Sequence, residues 1–286
     1  MSSDNSADVI RAWSESARYW DKHRAAIEVM FGPVTEALIE EARIAPGHSV
    51  LDVAAGSGEP TLTVAARFGP GVKLTATDPV SPMLSAAARE ASRRGLANVS
   101  FAVCPAESLP FPDDVFDAVV CRFGAMFFPD VLAALRGILR VTRSERRMVF
   151  AVWSKPEANP FFSVITNVIA SYVPPVVEEP DAPGAFRFAE PGRLARLLGH
   201  AGAVAVRDSI LKFRIAGPMR LEEFWSLRTE LSDTLRQKLV LMSGDQIRSA
   251  KQDVESAARE YFQGGRMSFP AEVILVSAEK PASGIR

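Results

Sequence analysis

Apolar and polar positions alternate in two distinct rhythms between residues 49 and 153. Ser49–Ala54, Lys73–Thr77, Asn98–Cys104, Phe116–Phe123 and Met148–Trp153 are short apolar or alternating runs and read as strands. The first is almost continuously apolar, as expected of a strand covered on both faces. Between these runs, Thr61–Phe68, the stretch from Ser81 to Gly95, and Asp130–Val141 carry helical spacing. Gly69-Pro70-Gly71 ends the first of these helices. Ser81 is expected to cap the second, with Pro82 at its first position and Gly95 at its close. In the third, Leu132, Leu135 and Leu139 are expected to share the buried face. Strands alternating with helices predict an α/β chain, and right-handed crossovers make the sheet parallel and doubly wound.

The flanking segments follow other patterns. Val9–Ile44 reads as helical and carries Trp13, Tyr19 and Trp20. Residues 155–202 mix Pro-rich loops with short helices. Val204–Ile215 alternates as a strand, Leu221–Phe262 reads as helical, and Ala271–Ala278 is a last strand. Two strands from this part complete the sheet. The expected organisation is an N-terminal helical lid over residues 1–46, a ligand-binding core over 47–154, and the rest of the same sheet with substrate-site insertions over 155–286.

Composition narrows the function. The 286 residues are 48% hydrophobic, with a net charge of −1, which argues against a partner recognised through charge, nucleic acid included. Arg140, Arg143, Arg146 and Arg147 read as solvated surface near a helix end. Residues 1–7 carry no apolar signal core, and the most apolar stretch, Phe161–Val177, is interrupted by polar residues and prolines. No membrane span and a cytoplasmic location are therefore expected. Cys104 and Cys121 fall in core strands and read as reduced thiols. His23, His48 and His200 are too dispersed for a metal-ligand cluster, so no metal is expected.

The chemistry concentrates in Val50-Leu51-Asp52-Val53-Ala54-Ala55-Gly56-Ser57-Gly58, where a strand enters a glycine turn and a helix follows. Such a turn lets backbone approach a ligand, and the helix start offers free N–H groups. Asp78 ends the next strand twenty residues after Gly58, in reach of a nucleotide ribose. A dinucleotide fingerprint wants a third glycine where this chain has Thr61. Asp52, just before the loop, suits a cationic amino group better than a pyrophosphate.

These residues resemble the first motif of class I S-adenosylmethionine-dependent methyltransferases. Asp78 matches the acid ending their second strand. Pro105-Ala106-Glu107-Ser108-Leu109-Pro110-Phe111-Pro112-Asp113, followed by Phe116-Asp117, is similar to the motif after their third strand, and Cys121–Asp130 is similar to the fourth-strand motif. The nearest branch is the ubiquinone/menaquinone C-methyltransferase-like group. The resemblance implies a Rossmann-like, seven-stranded, mostly parallel sheet with helical lid insertions, and S-adenosylmethionine as cofactor with S-adenosylhomocysteine as product. It implies that Asp52 supports the loop and the methionine ammonium, and that Ala54, Gly56, Ser57 and Gly58 belong to the cradle for the amino-acid tail. Asp78 would accept the ribose hydroxyls, Met83 would pack on adenine, and Ala106 and Glu107 would bind it. Arg122 would stand near the sulfonium. The chain departs from the pattern at Pro105, where many relatives have Asp, and at Thr142–Arg146, which replaces a Lys-Pro-Gly-Gly turn.

The expected partner is a small methyl acceptor. Trp13, Tyr19 and Trp20, with Phe161, Phe162 and Tyr172 in the insertion from Pro156 to Phe188, suggest a lid and an apolar or aromatic acceptor. The same aromatics equally suit pinning of helices to the core. If a proton must leave the acceptor, His23 beside Tyr19-Trp20 is the best-placed base, against the plainer reading of a surface histidine. The competing functions are a nicotinamide-dependent oxidoreductase and a cofactor-binding protein without transferase activity.

Overall fold

The computed structural model describes residues 2–174 and 181–282. Two helices open the chain, α1 (Ser2–Lys22) and α2 (Arg24–Glu41). The βα series follows: β1 (Ser49–Val53), α3 (Thr61–Phe68), β2 (Lys73–Asp78), α4 (Ser81–Arg93), β3 (Val99–Val103), β4 (Phe116–Arg122), α5 (Val131–Val141) and β5 (Thr142–Trp153). Then come α6 (Pro160–Ala170), α7 (Arg193–Ala201), β6 (Val204–Pro218), α8 (Leu221–Leu231), α9 (Asp233–Val240), α10 (Gly244–Ala258), β7 (Phe262–Gln263) and β8 (Arg266–Glu279). One sheet takes all the described strands in the order β3-β2-β1-β4-β5-β8-β6, with the two-residue β7 paired to β8. The first five strands are parallel, and β8 runs antiparallel between β5 and β6. The seven-stranded, mostly parallel sheet expected from the pattern is this path, to which β7 adds a short hairpin.

Burial explains the central strands. Val50, Leu51 and Val53 are at most 1% exposed, and every residue of β4 is buried. Helices cover both faces, so these strands need no polar side. In α5, Asp130 caps the N-terminus by accepting from the Ala133 N–H at 2.9 Å. Its buried stripe is Val131, Ala134, Leu135, Ile138 and Val141, whereas Leu132 and Leu139 are only half-buried. The expected leucine face is thus rotated, because Ala134 and Ile138 also meet the core.

Other boundaries differ for local reasons. Ser81 does not cap α4; Val80 holds that position, and the Asp78 carboxylate takes its N–H. Thr142–Arg146 is extended backbone continuing into β5 rather than a surface turn. Its irregularity is a register shift between Phe116 and Ala118 and a left-handed Glu145, φ 63°. The long helix expected over Leu221–Phe262 is three helices. Ser232 and Ser243 interrupt it by capping the next starts, Ser243 in a capping box with Gln246. No helix among the described residues is long and apolar enough to cross a membrane.

Candidate active site

The strand order reverses at β1, with β2 on one side and β4 on the other, which leaves a crevice at their carboxyl ends. That crevice holds a cavity open at its mouth. Its walls come from the loop after β1, the turn after β2, the segment after β3, the end of β4, and the α1–α2 pair.

The loop after β1 is built from unusual backbone. Ala54 (φ 57°), Gly56 (φ 54°) and Gly58 (φ 115°) are all left-handed or beyond. At Ala54 this is strain of about 1–3 kcal/mol, of the kind that clusters where a fold holds a ligand. Phe123 (φ 61°), at the end of β4 and facing the same cavity, carries it too. Gly58 N–H donates to the Ala55 carbonyl at 2.9 Å and Ala55 N–H to the Thr77 carbonyl at 2.9 Å, so the turn is tied to β2.

Beneath the loop, Asp52 is fully buried. Its Oδ2 accepts from the Thr61 hydroxyl at 2.6 Å and the Thr61 N–H at 3.2 Å. This is why threonine stands where a dinucleotide loop has glycine. Asp52 Oδ1 is buried with no partner. Burial pushes the Asp52 carboxyl up to about 7, with the Thr61 bond opposing. Glu59, which lines the cavity, repeats the arrangement. Its Oε2 accepts from the Thr63 hydroxyl at 2.7 Å, its Oε1 is buried and unpaired, and burial raises its carboxyl. Two acidic oxygens without donors thus flank the loop, and the Arg122 guanidinium offsets their charge without bonding to them.

Asp78 lies at the tip of β2. Its Oδ2 accepts from the Gly56 N–H at 2.9 Å and its Oδ1 from the Val80 N–H at 2.8 Å. Both the turn-capping role and exposure to the cavity are realised, since a carboxylate oxygen has a second lone pair to offer. Burial raises its carboxyl to about 6, and the two backbone bonds oppose this. Arg122 ends β4, buried, with Nη1 donating to the Thr35 hydroxyl at 2.9 Å. Desolvation pulls its guanidinium down, countered by Glu59 and Asp52.

Aromatic side chains close the mouth. Trp13 meets Trp20 edge-on at 5.6 Å and Phe127 at 5.1 Å. Ile10, Trp13 and Trp20 pack on Val80 and Met83. Arg24 of α2 fastens this cover to the loop by donating to the Ser57 carbonyl, and also bonds Asp21 at 2.7 Å. On the far wall Glu107 Oε1 accepts from the Asp130 N–H at 3.2 Å.

Ala54, Gly56, Ser57, Asp78, Met83, Ala106, Glu107 and Arg122 therefore face one cavity, together with Trp13 and Trp20. Asp52 and Gly58 lie behind its wall. Several other candidates are placed elsewhere. His23 Nε2 is 2.6 Å from Glu230 Oε2, which also pairs with Lys22. Tyr19 lies under Arg18 and Arg236, 4.6 and 5.1 Å from its centroid. Phe161 is 1% exposed among Phe224 and Phe269, Phe162 meets Trp153 at 4.7 Å, and the Tyr172 hydroxyl donates to Asp253 at 2.6 Å. None of these five lines the cavity. Helical phase turns Tyr19 and His23 towards α8 and α9, away from the face that Trp13 and Trp20 present. Part of the expected insertion, 175–180, lies outside the described residues.

Glu59 and Arg24 are site residues that pattern reasoning missed. Glu59 sits directly after Gly58, so an acid closing the glycine turn was a readable signal. Arg24 bridges to a loop 33 residues away, and nothing local announces it.

Residues 50–145 match the methyltransferase-domain family. Over 187 residues the chain is 30% identical to nocamycin O-methyltransferase of Saccharothrix syringae, covering 62% of this chain and 67% of that one. The chain belongs to the class I S-adenosylmethionine-dependent methyltransferases. Other family members match over shorter spans. An uncharacterized methyltransferase of Bacillus subtilis, YcgJ, is 37% identical over 42% of this chain and 46% of its own. The ubiquinone/menaquinone biosynthesis C-methyltransferase UbiE of Ectopseudomonas mendocina is 35% identical over 48% and 54%. The chain thus spans about half the length of these two relatives. The YcgJ crystal structure has the same fold, with a TM-score of 0.56 and 23% identity, covering 87% of this chain and 98% of that one. The family's cofactor is S-adenosylmethionine. The residues around the cavity fit it: the unpaired Glu59 oxygen suits its ammonium, with the Asp52 carboxyl adding negative charge from behind the wall, and Asp78 suits its ribose.

Proposed function

We propose that this family member transfers the methyl group of S-adenosylmethionine to a small, apolar or aromatic acceptor. The observation that carries the reading is the donorless Glu59 oxygen on the cavity wall, backed by the buried Asp52 carboxyl, beside a backbone cradle. A zwitterionic amino-acid tail satisfies both features at once, whereas a pyrophosphate would bring negative charge against negative charge. In this reading Gly56 and Ser57 take the carboxylate of the tail through backbone, Asp78 takes the ribose, and Met83, Ala106 and Glu107 surround the adenine.

When bound, the cofactor supplies a methyl group activated by a positively charged sulfur. The work of the chain is alignment and exclusion of water. Trp13, Trp20, Phe123 and Phe127 make the wall on the acceptor side apolar, and α1 with α2 closes it. A dry, aligned site favours a reaction in which charge is lost. The same aromatic wall supports an apolar acceptor. Relatives named for O- and for C-methylation both match this chain, and either chemistry suits such a wall.

The direct test is calorimetric titration with S-adenosylhomocysteine against NADH, followed by an acceptor screen with a labelled methyl donor. Binding of the first ligand and not the second is expected; the reverse would restore the oxidoreductase reading. Affinity should also depend on pH. Asp52, behind the cavity wall, and Asp78, on it, have folded values near 7 and 6, above the ordinary 3.8, so near pH 6 the ligand-free protein holds protons whose loss a bound cation favours. Affinity for S-adenosylhomocysteine should fall about tenfold between pH 8 and pH 6, and Asp52→Asn should flatten that dependence. Stability runs the other way. These two groups stabilise the ligand-free fold fully below about pH 4, and that contribution is lost as pH rises through 6 to 7.

His23 provides a second check. General bases contribute about 10²–10⁴-fold to turnover. With its ring held by Glu230 and turned from the cavity, His23→Ala should change turnover by only a few fold. A loss of 10² or more at unchanged cofactor affinity would return His23 to the reaction.

A further inference from the structure

A stack of rings behind the cavity ends on an uncovered face. Phe213 of β6, Trp153 at the end of β5 and Phe123 just after β4 lie nearly parallel. Phe213 is 6.5 Å and 22° from Trp153, and Trp153 is 4.2 Å and 4° from Phe123. Phe31 of α2 meets Phe123 edge-on at 5.5 Å and Trp153 at 5.7 Å, so it holds both from the side. Phe162 of α6 meets Trp153 edge-on at 4.7 Å. Trp153 is accordingly buried and does not line the cavity, whereas Phe123 is half-buried and does. Among the described residues, no further ring and no cation lies against Phe123. Trp153 takes one face of that ring, and the face turned from Trp153 is left to the cavity.

The chain holds Phe123 there against its own backbone preference. Its φ is 61°, a costly conformation for a bulky side chain and one that folds keep where a ligand is clamped. Gly124, the next residue, admits no side chain. A Cβ there would stand 2.5 Å from Ala54 Cβ and 3.0 Å from Cys121 Sγ. The Phe123 N–H still donates to the Ala151 carbonyl at 2.9 Å. The ring is therefore fixed against Ala54, the first residue of the loop after β1. An apolar wall alone needs neither a fixed plane nor this backbone, since an aliphatic side chain would supply it. A held, half-covered ring offers stacking to a second flat ring.

We propose that Phe123 is a stacking platform for the methyl acceptor, and that the acceptor presents a planar ring to it and not a saturated skeleton. Trp153 is a positioning residue that fixes the plane of Phe123 from behind. Taking the stacked ring to be the methyl acceptor rests on the methyltransferase reading; the platform itself does not. The platform orients the acceptor, and no proton moves and no bond changes on it.

The test is calorimetric titration with 2-naphthol and with decahydro-2-naphthol, its saturated counterpart, on protein with and without saturating S-adenosylhomocysteine. Naphthol should bind the loaded protein about tenfold more tightly, the upper scale of a stacked aromatic pair. Phe123→Leu should bring the ratio of the two affinities close to one. Trp153→Leu should lower the ratio from outside the cavity, and Trp153→Phe should restore most of it. A purely structural loss would weaken both probes alike and leave the ratio where it was. Should neither leucine variant fold, ring resonances of ¹³C-phenylalanine-labelled wild-type protein give the same answer: naphthol should shift one phenylalanine ring saturably and decahydronaphthol should not. Equal binding of the two probes, binding of neither, or a preference kept in Phe123→Leu would overturn the platform, and a preference kept in Trp153→Leu would overturn the positioning role. Displacement of naphthol by S-adenosylhomocysteine would also overturn the proposal, because the flat ring would then lie in the cofactor's place. Failure of S-adenosylhomocysteine to bind would strike the cofactor reading instead, while the titration without it still decides the role of Phe123.

Discussion

Gly58→Ala is expected to cost about 2–4 kcal/mol of stability and to remove measurable binding of S-adenosylhomocysteine. Two effects combine. At φ 115° the backbone is in a region that a side chain opposes. A Cβ there would also stand 2.7 Å from Leu62 Cδ1, 3.0 Å from Leu62 Cγ and 3.1 Å from Ala87 Cβ. Leu62 is fully buried at the start of α3, so it has no room to swing aside. Relief requires the loop to shift against the start of α3, which carries Thr61 off Asp52 and Glu59 out of the cavity wall. Denaturant unfolding and calorimetry check this, and wild-type midpoint with wild-type affinity would show that the loop is not held as described. Gly56→Ala is the informative comparison. Its backbone is also left-handed, but an added Cβ meets nothing within 4 Å, so only the conformational part of the cost applies.

Asp78→Ala should raise the dissociation constant for S-adenosylhomocysteine by about 10- to 100-fold, the scale of a lost hydrogen bond to a charged group. The side chain joins two functions. It ties Gly56 and Val80 by their N–H groups, and it presents its remaining lone pairs to the cavity. Stability should move less than in Gly58→Ala. At pH 8 the variant also loses a carboxylate whose burial opposes folding. Asp78→Asn, with one carbonyl oxygen in place of two carboxylate oxygens, should lie between. An unchanged affinity in Asp78→Ala would place the ribose elsewhere.

The layout of the sheet was legible in the chain because β1 and β4 are buried on both faces and read as apolar runs. The glycine turn with Asp52 and Asp78 was legible because strand, turn and acid fall at a fixed spacing set by one βαβ unit. What escaped notice depends on contacts between distant segments. The phase of α1, which sends Trp13 and Trp20 to the cavity but Tyr19 to Arg236, and His23 just beyond it to Glu230, is set by packing about 200 residues further on. Phe161, Phe162 and Tyr172 are apolar or aromatic for core and surface reasons that a composition-based expectation of a substrate wall does not separate. The breaks at Ser232 and Ser243 were present as capping signals, yet the long polar–apolar repeat through Leu221–Phe262 outweighed them. Arg228 sits in that same repeat and looks like any helix-surface arginine until Phe161 and Phe162 arrive from α6.

The decisive comparison is the affinity of S-adenosylhomocysteine against that of 5′-methylthioadenosine, which keeps the adenosyl group and lacks the amino-acid tail. If Glu59 and the loop backbone recognise that tail, its loss should weaken binding by about 100-fold or more, two charge-assisted contacts' worth. Equal affinity for the two ligands would contradict the account, since the donorless Glu59 oxygen and the loop backbone would then be answering to something else.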